Sequence, residues 1–138
     1  MRSRARLLTL AIAAAAVASQ FSLSAAQAAT VKGKSGPLAV TMHPSTHHPK
    51  VNAKWPLTVI ATLRGKPVKA SAEYEFLYSG TVVSTQYPRN NKHFTFTGMF
   101  HDTLLFPSAS YGEPLTLQVV ITASGHHVDL DWAISSVH

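Results

Sequence analysis

The sequence predicts an all-β domain, a sandwich of about seven antiparallel strands, with a small barrel as the alternative. Three observations support this fold class. Apolar and polar residues alternate with a period of two through most of the chain beyond residue 37. Turn-forming pairs, Ser79-Gly80 and Ser124-Gly125 among them, separate the alternating segments. None of these segments has the roughly 3.6-residue apolar period of an amphipathic helix.

Residues 1–28 have the pattern of a cleavable secretory signal peptide. Three arginines and no acidic residue precede the apolar run Leu7–Ala18, and Ala26-Gln27-Ala28 fits the small-x-small rule of signal peptidase. The apolar run is too short for a membrane-spanning helix, which needs about 20 residues. We therefore expect cleavage after Ala28, or after Ala29. The mature protein is then secreted or extracytoplasmic, in the periplasm or cell wall, without a transmembrane segment.

The composition excludes several kinds of chemistry. The chain has no cysteine, which rules out disulfides, thiolate metal ligands and a cysteine nucleophile. Residues 29–138 contain nine Lys and Arg, six Asp and Glu and all eight histidines, so their formal net charge is +3 with neutral His. The basic residues are scattered along the sequence, whereas a nucleic-acid site requires a clustered stripe, so we expect no nucleic-acid partner. Protonation of the histidines would make the domain more basic below neutral pH.

Within the mature chain, residues 29–37 are small, basic and glycine-containing, and they predict a flexible N-terminal arm ahead of a domain over residues 38–138. Pro44–Lys54 and Pro88–Lys92 are expected to be loops, because their prolines interrupt a strand ladder. The predicted strands are Leu38–His43, Trp55–Leu63, Val68–Tyr78, Thr81–Tyr87, the segment Phe94–Phe106, Leu115–Ala123 and Val128–Ile134.

Each predicted strand has one apolar face. Trp55 and Trp132 belong to such faces, so we expect both to pack in the core. Asp102 interrupts the apolar face of its segment. We expect a bulge or bend at the nearby Gly98 to turn Asp102 towards solvent.

Several short stretches resemble a known group of proteins. They are His48-Pro49-Lys50-Val51-Asn52-Ala53-Lys54-Trp55-Pro56, Gly65-Lys66-Pro67-Val68, Phe106-Pro107 and Gly112-x-Pro114-Leu115-Thr116. In these the chain resembles short secreted bacterial proteins with an immunoglobulin-like β-sandwich, and the resemblance extends over most of the mature chain. It implies an immunoglobulin-like fold. It implies no activity, because the shared residues are turn and core residues.

Histidine and carboxylate residues near the C-terminus provide the best metal-site candidate. His127, Asp129 and Asp131 are spaced two residues apart, so they would share one face of the last strand. Imidazole and carboxylate ligands suit zinc or copper(II). The alternative is that these residues protect an edge strand against aggregation. The pairs His47-His48 and His126-His127 are expected at opposite ends of the sandwich, which disfavours a four-histidine site.

Catalytic patterns are missing from the sequence. No G-x-S-x-G motif is present, and the acidic residues Glu73 and Glu75 share a strand face that equally suits solvent exposure. We therefore expect no enzyme and no cofactor. Tyr87, beside the polar loop that begins at Pro88, is a candidate contact for an anionic or hydroxyl-rich polymer.

Together these patterns predict a monomeric, secreted, non-catalytic binding or structural module of the cell envelope. Its expected partner is a protein of unknown identity or an anionic envelope polymer, with attraction that strengthens as the pH falls. A secreted copper or zinc carrier that uses His127, Asp129 and Asp131 is the first alternative. A small hydrolase is the second.

Overall fold

The computed structural model describes residues 29–138, and the predicted signal peptide of residues 1–28 lies outside the described residues. Within residues 29–138 there is no helix long and apolar enough to cross a membrane. Two short 3₁₀ turns lie at Pro88–Asn90 and Ser108–Ser110. The strands are β1 (Val31–Ser35), β2 (Leu38–Pro44), β3 (Lys54–Leu63), β4 (Lys66–Pro67), β5 (Lys69–Tyr78), β6 (Thr81–Gln86), β7 (Thr95–Thr97), β8 (Met99–Leu105), β9 (Pro114–Ala123) and β10 (His126–Ser135).

These strands form two antiparallel sheets that pack together, which confirms the predicted all-β sandwich. The β3 sheet has the order β1-β2-β3, and the far edge of β3 pairs with β8 along most of its length and with β4 at its end. The β5 sheet has the order β10-β9-β5, and the far edge of β5 is divided between β6 and β7. The terminal strands β1 and β10 therefore share one side of the sandwich, whereas β6 and β8 share the other.

The core lies between the sheets and follows the alternation of the sequence. Every second residue of the central strands β3 and β5 is buried, and the residues between them face outwards. Strands β9 and β10 alternate in the same way. The buried side chains of these four strands are Trp55, Leu57, Val59, Ala61, Ala70, Ala72, Tyr74, Phe76, Leu117, Val119, Ile121, Ala123, Val128, Leu130, Trp132 and Ile134.

The prediction of a flexible arm over residues 29–37 is wrong for most of that range, because Val31–Ser35 forms the edge strand β1. Gly36, at φ 56°, turns the chain so that β1 runs back along β2, with Ser35 opposite Leu38. Gly33 then faces β10, where an added Cβ would lie 2.6 Å from Cγ1 of Val128. The small, basic composition that suggested an arm is explained by this close approach and by lysines on the outer face.

Gly98 allows the chain to pass from one sheet to the other. The predicted segment Phe94–Phe106 is divided at this residue, since β7 pairs with β5 whereas β8 pairs with β3. Gly98 has φ 75°, and an added Cβ would lie 2.9 Å from Cβ of Pro67. A residue with a side chain would be strained there and would also clash.

The loop between β2 and β3 joins the two sheets through a single carbonyl group. The indole nitrogens of Trp55, from the β3 sheet, and Trp132, from the β5 sheet, both donate to the carbonyl oxygen of Thr46, at 3.1 and 3.0 Å. His47 stacks on the Trp132 ring with centroids 3.7 Å apart. Both tryptophans are buried, as predicted, and their polar atoms are satisfied by this loop.

Candidate functional site

The outer face of the β5 sheet carries most of the acidic residues. Glu73 lies across from Val120, which is opposite Asp129, and Glu75 is related to Asp131 in the same way through Gln118. Neighbouring strands are about 4.8 Å apart, so Glu73 and Asp129, which are two strands apart, are separated by about 10 Å, and the same holds for Glu75 and Asp131. We call the group Glu73, Glu75, Asp129 and Asp131 the acidic face.

The outer face of the β3 sheet has the opposite character. Its ionisable residues are lysines and histidines, and no carboxylate projects from it among residues 29–138. The remaining two acidic residues of the chain lie elsewhere, Asp102 on the inward side of β8 and Glu113 in the loop before β9. We call the group Lys32, Lys34, His43, Lys54 and His101 the basic face. A mildly basic domain is thus strongly divided in charge.

The two histidines of the basic face lie in one row across the sheet. Thr58 is opposite His43 on one side and opposite His101 on the other. The Thr58 hydroxyl shares a 2.7 Å hydrogen bond with Nδ1 of His101, and the Thr30 hydroxyl shares a 3.1 Å bond with Nδ1 of His43. These bonds hold both imidazole rings in place on the outer surface, where a positive charge on either ring would add to that of the lysines.

The proposed metal ligands lie on one exposed face of β10, as their spacing predicts. However, same-face residues of a strand repeat every 6.6 to 6.8 Å or so, so His127 and Asp131 lie about 13 Å apart along β10, which is too far for all three side chains to converge on one ion. Asp131 also accepts a 2.8 Å hydrogen bond from Nε2 of Gln118. Nowhere in residues 29–138 do three or more His, Asp or Glu residues lie close enough together to hold a metal ion. His127, Asp129 and Asp131 are therefore not assembled into a site.

The two histidine pairs are at opposite ends of β10, as predicted. His126 begins this strand, whereas His47 and His48 donate through Nδ1 to the carbonyl oxygens of Ala133 and Ser135 near its end, at 2.7 and 3.2 Å. The first pair thus caps main-chain carbonyl groups. This role leaves no sequence signal, because any carbonyl group can accept such a bond.

Asp102 corrects the sequence analysis. The expected turn towards solvent does not occur, because β8 resumes regular alternation after Gly98 and keeps Asp102 on the inward face, opposite Leu57. Its Oδ2 accepts a 2.7 Å hydrogen bond from the hydroxyl of Tyr74 and a 3.4 Å bond from the backbone nitrogen of Arg89. Asp102 therefore connects β8 of one sheet to β5 of the other.

Tyr74 is completely buried in the core. Burial, and next the hydrogen bond to Asp102, raise the pKa of Tyr74 far above its ordinary value, and Arg89 opposes this shift only in part. The phenol therefore stays protonated and remains a donor to the Asp102 carboxylate. Tyr74 and Asp102 were not identified as a pair from the sequence, since they are 28 residues apart.

A polar cleft opens beside Asp102, between the facing edge strands β6 and β8. It holds a cavity of about 230 Å³ lined by Gln86, Tyr87, Arg89, Asn90 and residues Asp102 to Leu105. Tyr87, the candidate contact from the sequence, is one of the residues that line this cleft. Arg89 and Asn90 have φ of 55° and 54°, an uncommon conformation for residues with side chains.

Arg89 is held at the mouth of this cleft by two further contacts. Its Nη2 donates to the carbonyl oxygen of His101 at 3.3 Å, and its guanidinium carbon lies 5.5 Å from the centroid of the Phe94 ring. Arg89, with its side chain positioned in this way, and Asp102 therefore line the same small cavity.

Comparisons with known proteins do not add a relative. No protein-family model matches the chain, and neither the search of curated proteins nor the search of solved structures finds a match. The resemblance to secreted immunoglobulin-like proteins stays a prediction.

Proposed function

We propose that the protein is an extracytoplasmic, non-catalytic binding module of the cell envelope, an immunoglobulin-like sandwich that contacts an anionic polymer of the wall or membrane. The observation that supports this proposal is the separation of charge between the acidic face and the basic face. The pattern of residues 1–28 supports export, and we expect the module to act as a monomer.

The separation matters because charges are screened over short distances. Two stacked sheets are about 10 Å apart, and the outward side chains add further distance. The Debye length at physiological ionic strength is about 8 Å. A polymer on the basic face is therefore largely screened from the four carboxylates of the acidic face. Its attraction depends on the local lysines and histidines and exceeds what a net charge of +3 suggests.

Because His43 and His101 lie on the basic face, we expect the binding of the polymer to depend on pH. Histidine is the side chain that ordinarily gains its charge between neutral pH and about pH 5. The two rings lie on the same face as Lys32, Lys34 and Lys54, with no carboxylate between them. We expect binding to strengthen on acidification, because the added charges join the surface that already attracts the polymer.

The test is co-sedimentation of the mature domain, beginning at Ala29, with isolated bacterial cell envelopes and with dextran sulfate beads as a defined polyanion. The variant carries Lys32→Gln, Lys34→Gln and Lys54→Gln. A cation near an anionic surface contributes about 1 kcal/mol, so we expect an affinity loss of about a hundredfold.

The matched control carries Lys50→Gln, Lys69→Gln and Lys92→Gln, which removes the same charge from outside the basic face. It should keep most of the binding, and its affinity should also fall with added salt. Equal losses in the two triple variants would reduce the effect to net charge and contradict the proposal. Equal binding at about pH 5.5 and about pH 7.5 would remove the histidine contribution alone.

A further inference from the structure

Strand β6 is an edge that nothing covers among residues 29–138. It is the terminal strand of the β5 sheet and pairs only with β5. All six of its residues are exposed, and none is charged or proline. Natural edge strands are usually blunted by charges, prolines or a covering segment, because their free main-chain groups accept a further strand. β6 has no charge, no proline and no covering segment, and of the devices found on natural edges it carries only a β-bulge, at Val83.

A groove runs behind this edge, between β6 and β8. The polar cavity of about 230 Å³ adjoins an apolar cavity of about 150 Å³, and both are lined by Gln86 and Leu105. The apolar cavity reaches the core residues Phe76 and Phe106. The groove thus offers two neighbouring subsites of different chemistry along one free strand edge.

A β-bulge in β6 shapes the apolar subsite. Ser84 is opposite Phe76 and Val82 is opposite Leu77, so Val83 is an extra residue between them. Val83 is 57% exposed and lines the apolar cavity. An apolar side chain placed beside it would be removed from water together with the Phe76 edge of the core.

We propose that an extended polypeptide segment of a partner protein adds to β6 as a further strand of the β5 sheet. Its main chain pairs with the free edge of β6, and every second side chain enters the groove. This binding is separate from the interaction of the basic face. Such strand addition obtains affinity from main-chain hydrogen bonds and specificity from pockets for alternate side chains.

The chemistry of the two subsites specifies two side chains of the bound segment. One inward side chain is apolar and fills the cavity at Val83. The next inward side chain, two residues along and about 6.8 Å away, reaches the polar cavity. That cavity is lined by both Arg89 and Asp102, so a side chain of either charge meets a residue of like charge. Asn or Gln fits best, because an amide group donates to Asp102 and accepts from Arg89.

The geometry leaves Asp102 able to take part. Both hydrogen bonds that it accepts from residues 29–138 end on Oδ2, from Tyr74 and from the Arg89 backbone. Oδ1 belongs to a residue that lines the cavity and is the acceptor offered to the incoming amide group. A buried hydrogen bond of this kind gives chemical selectivity, since an apolar residue at that position would leave polar groups unpaired.

The experiment uses synthetic, N-acetylated heptapeptides in which threonine alternates with a variable residue. Leu and Asn occupy neighbouring variable positions, in both orders. Binding to the mature domain is measured by fluorescence anisotropy and by amide hydrogen exchange of β6. We expect binding that slows exchange in β6. N-methylation of every second peptide amide should abolish binding for one parity and preserve it for the other, because only one set faces β6.

The polar subsite is tested in the same peptides. Replacing Asn by Asp or by Lys should weaken binding about tenfold, which corresponds to about 1.4 kcal/mol. Arg89→Ala should weaken binding of the Asn peptide and leave an Ala peptide unaffected, with Lys92→Ala in the same loop as the control. The N-methylated peptides need no protein variant, so the test holds even if Arg89→Ala disturbs the loop.

Three results would overturn this proposal. The first is that no peptide slows amide exchange in β6 at millimolar concentration. The second is that both N-methylated sets bind equally well, which would mean that the peptide main chain is not paired with β6. The third is that the domain alone dimerises with protected β6 amides and Val83→Lys returns it to the monomer, which would assign the edge to a second copy of this chain.

Discussion

The two edges of the β5 sheet differ in how they are covered by the rest of the described chain. At the β10 edge, main-chain groups beyond the strand pairing are satisfied by the loop after β2. Ser135 donates to the carbonyl oxygen of His47, and Val137 donates to that of Pro49, both at 2.9 Å. Charged residues also project from β10, and β1 packs against it through Gly33. At the β6 edge there is no covering segment among residues 29–138, and the strand itself has no charged residue.

This difference separates stability from accessibility. The covered edge includes the buried Trp132, the histidine stacked on it and a close glycine contact, which are features of tightly packed structure. Beside the open edge, the facing strand β8 is reached through the Tyr74–Asp102 hydrogen bond and through the contacts of Arg89 with Asp102 and His101, and the cavities lie next to these contacts. We infer that variants at the covered edge will change stability strongly, whereas variants at the open edge will mainly change binding.

The largest expected effect is that of Trp132→Ala at the covered edge. It removes a buried ring, the hydrogen bond to Thr46 and the surface on which His47 stacks. We expect the free energy of unfolding to fall by about 3–5 kcal/mol, measured by urea denaturation. His47→Ala is the control and should cost about 1 kcal/mol, since His47 is exposed. A larger loss for His47→Ala than for Trp132→Ala would show that the loop, and not the buried ring, dominates this edge.

The next effect is that of Gly33→Val, which tests the contact between β1 and β10. An added Cβ at Gly33 would lie 2.6 Å from Val128 and 2.9 Å from Leu130, so the strands must separate. We expect a loss of about 1–3 kcal/mol in thermal or urea unfolding. Lys34→Val, one residue along on the outer face, should be close to neutral. Equal effects of the two substitutions would mean that β1 does not pack on β10 as described.

Tyr74→Phe tests the side-chain hydrogen bond that connects the two sheets beside the open edge. The phenol group is buried, but Asp102 is only half-buried and gains water in its place, so we expect a loss of about 1–2 kcal/mol at neutral pH. A double-mutant cycle with Asp102→Asn should show coupling between the two residues. Additive effects in the cycle would rule out this hydrogen bond as the connection between the sheets.

The same variant has a predicted dependence on pH. The unfolded chain loses the Tyr74 proton above the ordinary pKa of 10.0, whereas the folded protein keeps it because its pKa is raised. The unfolded state then binds fewer protons, so the stability from Tyr74 is complete below pH 10 and is lost as the pH rises further. The slope is about 1.4 kcal/mol per pH unit. The gap between wild type and Tyr74→Phe should therefore narrow above pH 10, and a constant gap would contradict the prediction.

How much of the difference between the two edges can be predicted from the sequence depends on the kind of interaction. The alternation in β3, β5, β9 and β10 predicted their buried faces, because burial acts on each side chain separately. Which strands share a sheet was not visible, and for that reason Glu73 and Asp129 were not recognised as members of one acidic face. The position of Asp102 was missed because a glycine bend was expected to shift parity. Instead, Gly98 transferred the chain to the other sheet and the alternation began again.

The covering loop was missed for a related reason. The sequence showed prolines and histidines between Pro44 and Lys54 and predicted a loop, which is correct. It could not show that the Thr46 carbonyl group accepts from two tryptophans, since main-chain groups are present at every residue. The open edge had a clearer signal: six uncharged residues from Thr81 to Gln86, two of them adjacent valines, in a strand that must lie at an edge if both of its faces are exposed.

Val83→Lys should change the stability least, and it distinguishes most directly between the covered and the open edge. Val83 is exposed, so the free energy of unfolding should change by no more than about 0.5 kcal/mol. The lysine nevertheless places a charge in the apolar subsite and should abolish peptide binding to β6. Val82→Lys adds the same charge to the opposite face of the strand and should retain more of that binding. Binding of envelopes by the basic face should persist in both variants. If Val83→Lys instead destabilised the domain as much as Gly33→Val, the β6 edge would be part of the packed structure, and the distinction between a covered and an open edge would fail.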